Sequence, residues 1–354
     1  MSKYWSELTK KLEPYVPGEQ PKDKKYVKLN TNENPFPPSP KVKEVLENMD
    51  YDDLKLYPDP NADLLKDSIS KFFDVNRKQV FVGNGSDEVL AFAFMAFFNP
   101  EKPILFSDIS YSFYEVYANI FNIQYNGVEL NDNFEIPVEE FYKENGGIII
   151  PNPNAPTGIA LTLEQIEEIL KNNMDNVVII DEAYVDFGAE TAIGLVEKYP
   201  NLLVVQTLSK SRSLAGMRVG FAIGNEELIE GLERVKNSVN SYTIDRVAMV
   251  VAKEAIEDKE YFTYTCNKII STRENTIKEL KKMNFKICNS MANFIFISHD
   301  RVKAKDLFVE LKKEGVLVRY FNKKRIDNYL RVTIGSENDM EVFIEKIQLC
   351  LAKL

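Results

Sequence analysis

Asn152, Asp181 and Lys210 stand at the ends of three short apolar runs, IIIPN, VVIID and VVQTLSK. Open α/β sheets bind ligands outside the carboxyl ends of their strands, so an amide, a carboxylate and an amine placed this way can converge on one crevice. Singly, each reads as an ordinary solvated loop residue; the combination suggests catalysis. Arg218 follows in SLAGMRVGF and offers a rigid forked donor suited to phosphate, with Ser209 as a hydroxyl donor beside the lysine. In FVGNGSDEVLAFAF (81–94), Gly83, Gly85 and Ser86 join a strand to a helix. The free amides of residues 85–87 and the helix dipole favour an anion there.

Several chemistries are excluded. An apolar strand ending in Asp181-Glu182 resembles the magnesium-binding strand of an ATPase, but the chain has no GxxxxGK[ST]. The 81–94 turn begins like a dinucleotide fingerprint, yet Glu88 occupies the third glycine position. The single histidine, His299, rules out a multi-histidine metal site and reads as a strand-end residue; no metal is expected. The three cysteines, Cys266, Cys288 and Cys350, are too widely spaced for a CxxC site or a disulfide framework, which fits a reducing cytoplasm. A net charge of −10 and a pI near 5.0 argue against nucleic-acid and anionic-membrane binding. The longest apolar run, VLAFAFMAFF, is half a membrane span, and the first residues lack a signal-peptide core. An anionic small molecule must therefore meet a local basic cluster. A lysine to condense with an aldehyde, a carboxylate for a pyridinium nitrogen and a metal-free phosphate cup together suit pyridoxal phosphate.

The elements that must position these residues alternate. The pattern predicts helices at 41–49, 62–73, 86–98 and 163–171, the last opened by a Thr162/Gln165 capping box. Between and after them lie strands in QVFVGN, PILFSD, GGIIIPN, NVVIID, NLLVVQTLS and VGFAIG. Unbroken apolar strands suit a sheet covered on both faces, with helices as parallel crossovers. The expected organisation is a proline-rich arm (1–40) packing with a small domain, a large α/β/α domain (41–245) with a mostly parallel central sheet, and a smaller α/β C-terminal domain (246–354). The last begins with a helical stretch to 282, continues through ANFIFIS, helix 303–313, GVLVRYF and YLRVTIG, and ends in a helix entered at Asn338 with Glu341 as capping partner.

Over essentially its whole length the chain resembles the fold-type I, aspartate-aminotransferase-like pyridoxal-phosphate enzymes, and within them the histidinol-phosphate aminotransferases. The resemblance rests on the order and spacing of PYVPGE, LNTNENPFPPSP, LYPDP, VGNGSDE, YSFY, NPNAPTG, DEAYVDF, TLSKSRSLAGMRVGFA, VLVRYF and LRVTIG. It implies that Lys210 forms the Schiff base, Asp181 pairs with the cofactor's ring nitrogen, Tyr184 bonds its phenolic oxygen and Tyr111 stacks on its ring. The implied phosphate cup is the amides of Ser86 and Asp87, the Ser209 hydroxyl and Arg218, joined by Tyr57 from a second subunit of a homodimer. Arg331 would hold an anionic substrate group, with Arg319, Tyr15 and Asn34 on the phosphate side. The chain departs from the pattern at Ala155, where the family often has an asparagine that donates to the phenolic oxygen. That contact then falls to Tyr184 alone or to Tyr184 with Asn154.

The activity implied is transfer of an amino group between L-histidinol phosphate and 2-oxoglutarate, in histidine biosynthesis, by ping-pong kinetics with the freed lysine shuttling the proton. The same scaffold supports threonine-phosphate decarboxylases and other amino-acid aminotransferases, and NTNENPFPPSP with GNGSDE favours the histidinol-phosphate branch. A non-catalytic cofactor-binding homologue would not need lysine, aspartate and arginine together.

Overall fold

The computed structural model describes residues 2–15 and 18–354; Val16 and Pro17, within PYVPGE, and Met1 lie outside the described residues. Its centre is a seven-stranded sheet in the order Val80–Gly83, Gly220–Gly224, Leu202–Thr207, Val178–Asp181, Ile148–Pro151, Ile104–Ser107 and Tyr125–Val128. All neighbours pair in parallel except around Gly220–Gly224, which runs antiparallel to both its partners. The strands read as continuous apolar runs because both faces are covered. Ile148, Ile150, Val178, Ile180 and Val204 point into one core with helices Asp63–Phe73, Leu163–Lys171 and Arg246–Glu257. Ile149, Ile179, Leu203 and Val205 alternate into the opposite core with helices Gly85–Phe97, Phe113–Ile120 and Glu226–Val239. This is the expected α/β/α sandwich with a mostly parallel sheet.

A second sheet runs Arg319–Tyr320, Leu330–Thr333, Phe294–His299, Phe285–Ile287, antiparallel throughout. Helices Lys259–Lys282, Ala304–Lys313 and Glu337–Lys353 bury Ile269, Leu280, Leu307, Leu311, Phe343 and Ile347 against it. The arm joins this unit: Val27–Lys28 pairs in parallel with Val316–Leu317, and Leu29 enters its core.

The observed elements differ from the sequence expectation in four places. The expected boundary at 245/246 falls one helix early, because Ala248, Met249, Val251, Ala252, Ala255 and Ile256 bury into the large core. The helical stretch to 282 is two helices: Asp258 ends the first, and its carboxylate caps the second by accepting from Tyr261 N. The last helix starts at Glu337, not Asn338, because Ser336 and Asp339 form the capping box that Asn338 and Glu341 were expected to supply. Strands Tyr125–Val128 and Phe285–Ile287 and helix Phe113–Ile120 lie in stretches where the sequence gives no clear period. The box at Thr162 and Gln165 forms as expected. His299 ends its strand, and its Nδ1 accepts from the amides of Arg301 and Val302.

One close approach fixes the start of helix Gly85–Phe97 against the sheet. A Cβ on Gly220 would lie 2.3 Å from Ser86 N and 2.5 Å from Gly85 C, both backbone atoms that no rotamer change can move. Gly220→Ala is therefore expected to push the helix start off the sheet and lower stability by about 1–3 kcal/mol. A denaturant midpoint equal to that of the wild type would contradict this packing.

Candidate active site

Asp181 closes strand Val178–Asp181 and is 4% exposed. Tyr114 Oη donates to its Oδ2 at 2.8 Å and Ala183 N to its Oδ1 at 3.2 Å. Burial nevertheless pushes its carboxyl up to about 6, with the Tyr114 and Ala183 bonds and the charge of Lys210 opposing the shift. Burial raises the Tyr114 hydroxyl well above the usual tyrosine range, with Asp181 adding to the effect, so that proton stays on Tyr114. The neighbouring Glu182 points to the other face of the strand. It accepts from Thr191 Oγ1 and Ala192 N at 2.6 Å and from Gln206 Nε2 at 2.8 Å, and burial raises it to about 7.

Asp181 and Lys210 line one cavity of about 260 Å³. Lys210 leaves the loop after strand Leu202–Thr207; its Nζ lies 3.4 Å from Thr31 O and 5.6 Å from the centre of the Tyr184 ring. Asn34 does not line the cavity. Its Nδ2 donates to Lys210 O at 2.9 Å and Ser211 O at 3.3 Å, so it holds the lysine's backbone. On the other side of that backbone Ser211 Oγ donates to Asp186 Oδ2 at 2.5 Å.

At one end of the cavity the first turn of helix Gly85–Phe97 presents the amides of Ser86 and Asp87, which have no partner within the helix. The Thr207 hydroxyl donates to Ser209 Oγ at 3.0 Å, leaving the serine's own proton for a further acceptor. Arg218, at a φ of 54°, donates to Asp87 Oδ2 at 2.9 Å, and Tyr111 Oη donates to Asp87 Oδ1 at the same distance. Gly85, at a φ of 77°, lets the guanidinium lie on the helix start: a Cβ there would be 2.6 Å from Arg218 Nη2.

At the other end Arg319 and Arg331 face each other across the antiparallel strands Arg319–Tyr320 and Leu330–Thr333. The pair sets two cations side by side at the cavity wall. Arg331 Nη2 donates to Asn30 O at 3.1 Å, while its Nε is buried with no hydrogen-bond partner among the described residues. Burial lowers its basicity. Tyr15, Thr31, Asn32 and Phe321 complete this end. Tyr15 packs on Phe113 with ring centroids 4.5 Å apart and meets Tyr111 edge-on at 6.4 Å.

Of the candidates read from sequence, Ser86, Asp87, Tyr111, Asp181, Tyr184, Ser209, Lys210, Arg218, Tyr15, Arg319 and Arg331 share this cavity. Asn152 does not: its Oδ1 accepts from Leu161 N at 2.7 Å, tying the turn together. Asn154 faces a neighbouring cavity and donates to Ile109 O and Thr157 Oγ1, whereas Ala155 lines the first cavity with no polar atom. Tyr57 lies outside it, 78% exposed and stacked on Tyr242. Tyr114, Thr31 and Asn32 were missed. Tyr114 was detectable, since it stands in YSFY three residues after Tyr111, and the two rings meet edge-on at 5.6 Å; Asn32 carries no signal outside its fold.

A family model described as "Aminotransferase class I and II" matches residues 24–347. A histidinol-phosphate aminotransferase of Clostridium botulinum (strain Kyoto / Type A2) is 59% identical over 354 residues, 100% of both chains. One from Clostridium acetobutylicum is 58% identical over 352 residues, 99% of this chain and 100% of that protein. Among solved structures, the histidinol-phosphate aminotransferase of Sinorhizobium meliloti in complex with pyridoxal-5'-phosphate superposes with a TM-score of 0.90 at 19% identity, covering 100% of this chain and 99% of that one. With so long a match to the family model and a relative this similar from end to end, the chain belongs to the aminotransferase class I and II family.

Proposed function

We propose that this chain transfers an amino group between L-histidinol phosphate and 2-oxoglutarate, with pyridoxal phosphate as cofactor. The observation that carries the reading is a single cavity with Asp181 and Lys210 at its centre, an anion cradle at the helix start, and Arg319 opposite Arg331 at the far end. Near-identical length and 59% identity to the Clostridium botulinum relative support the choice of substrate.

The residues fit the cofactor. The helix-start amides, Ser209 and Arg218 supply donors for a phosphate, and Asp181 is a buried carboxylate with no cation within hydrogen-bond reach among the described residues. Pyridoxal phosphate supplies an aldehyde that condenses with amines and a ring that accepts the electrons left when a substrate carbon loses its proton. Asp181, ionised, holds a proton on the ring nitrogen. Lys210 would hold the aldehyde carbon and, as a free amine, would move the proton of the substrate carbon. Tyr111 gives the ring an apolar face and Tyr184 a donor for its phenolic oxygen. Arg331 and Arg319, with Tyr15, take the anionic end of either substrate, and Asn34 keeps the lysine's backbone in place. The small-molecule substrates are both anions, so these cations supply locally the positive field that the acidic chain lacks overall.

The functional dimer in this reading brings Tyr57 of one protomer to the phosphate cradle of the other, which accounts for an exposed tyrosine that does not line its own cavity. The large and small units then meet along the cavity, with the arm belonging to the small one.

Three outcomes test the reading. Cofactor-loaded protein mixed with histidinol phosphate should lose its visible absorbance and regain it with 2-oxoglutarate; release of carbon dioxide without need of a keto acid would instead indicate a decarboxylase. Lys210→Ala should reduce turnover by at least about 100-fold, the usual weight of a positioned proton-transfer group, and normal turnover would refute its role. Because Asp181 in the cofactor-free protein holds its proton up to about pH 6, cofactor affinity should fall as pH drops through that value. The Tyr114 bond lowers the Asp181 pKa, so Tyr114→Phe should move this midpoint upward. A fluorescence titration showing affinity flat from pH 5 to 8 in both proteins would contradict the assignment.

A further inference from the structure

Tyr184 lines the cavity with its ring edge-on to Phe294, the centroids 5.0 Å apart at 89°. The cluster packed against it is Ala155, Ala292 and Phe294, whose side chains offer no hydrogen-bond donor. The polar partner of Tyr184 is Asn32, whose Nδ2 donates to the phenol oxygen at 3.0 Å. An amide N–H only donates, so the bond uses a lone pair of Tyr184 Oη and leaves its proton free.

Asn32 is held so that the amide cannot turn. The Thr333 hydroxyl accepts from Asn32 N at 2.9 Å and sends its own proton to Asn32 Oδ1 at 3.0 Å, which leaves Nδ2 facing Tyr184. Asn293 Nδ2 donates to Asn32 O at 3.0 Å. The residue is 1% exposed and sits at a φ of 56°, a left-handed backbone that asparagine adopts more readily than most residues. Thr333, at the end of strand Leu330–Thr333, and Asn293, just before strand Phe294–His299, thus fix a buried amide beside the cavity.

We propose that Asn32 is a positioning residue for the reaction: by donating to Tyr184 Oη it directs the phenol's single proton into the cavity and onto the cofactor's phenolic oxygen, a contact Ala155 cannot make. This rests on the functional reading above. A donor on that oxygen stabilises its ionised form. Losing the donor makes the oxygen more basic and raises the pH at which the bound cofactor's visible band changes.

The test is a spectrophotometric pH titration of cofactor-loaded protein, comparing wild type with Asn32→Ala, Asn32→Leu and Tyr184→Phe, and with the Asn32→Ala/Tyr184→Phe double variant. Asn32→Leu keeps most of the volume and cannot donate, so it reports even where Asn32→Ala does not fold. Either Asn32 variant should raise the midpoint by about one unit, a tenfold change in proton affinity. Tyr184→Phe should raise it at least as far, and Asn32→Ala should add nothing in that background. A purely structural role for Asn32 would lower stability without moving the midpoint. Midpoints within about 0.2 unit of wild type in the Asn32 variants, or an undiminished extra shift in the double variant, would overturn the proposal. A wild-type protein that gives no visible band with pyridoxal phosphate would overturn the functional reading and this inference with it.

Discussion

A carboxylate removed from water needs either a proton or a cation, and the site is organised around that choice at Asp181. The strand end places it under the cavity floor, and the large core around strand Val178–Asp181 keeps solvent out. Two neutral donors, Tyr114 and Ala183, orient it without neutralising it. Lys210 is close enough to favour its ionised form but not to pair with it. The carboxylate therefore remains available to a cationic ring nitrogen entering the cavity.

The same economy of charge appears at both ends. Arg218 is paired with Asp87, which also accepts from Tyr111, so the cradle is electrostatically balanced and the helix amides supply the added attraction for a phosphate. At the far end the opposite holds. Arg319 and Arg331 stand opposite each other across a strand pair, with Arg331 Nε buried and without a hydrogen-bond partner among the described residues, in a chain of net charge −10. In the proposed function this pair receives the anionic ends of both substrates.

Much of this was legible in the sequence because it obeys local rules. The β-strands that end in Asp181 and precede Lys210 are unbroken apolar runs, which demand a doubly covered sheet, and that architecture puts their ends together. The glycines around residue 85 announced the helix start, and the Thr162 box its helix. What escaped depended on contacts between distant segments. Asn152 directly follows its strand, near the end of the neighbouring strand that closes on Asp181, yet Leu161 N captures its side chain. Helix Arg246–Glu257 follows the loop read as a boundary but carries apolar residues matched to the large core. Asn32 belongs to an extended arm with no periodicity, and its place beside Tyr184 is set by Thr333, some three hundred residues away (301).

In the proposed function, buried Asp181 is ionised and keeps a proton on the nitrogen of the cofactor ring. Nitrogen-15 NMR of protein loaded with ring-labelled pyridoxal phosphate reads that proton directly. The ring nitrogen is expected to be protonated from pH 6 to pH 8 and to become neutral in Asp181→Asn; a neutral nitrogen in the wild-type protein across that range would overturn the role of Asp181.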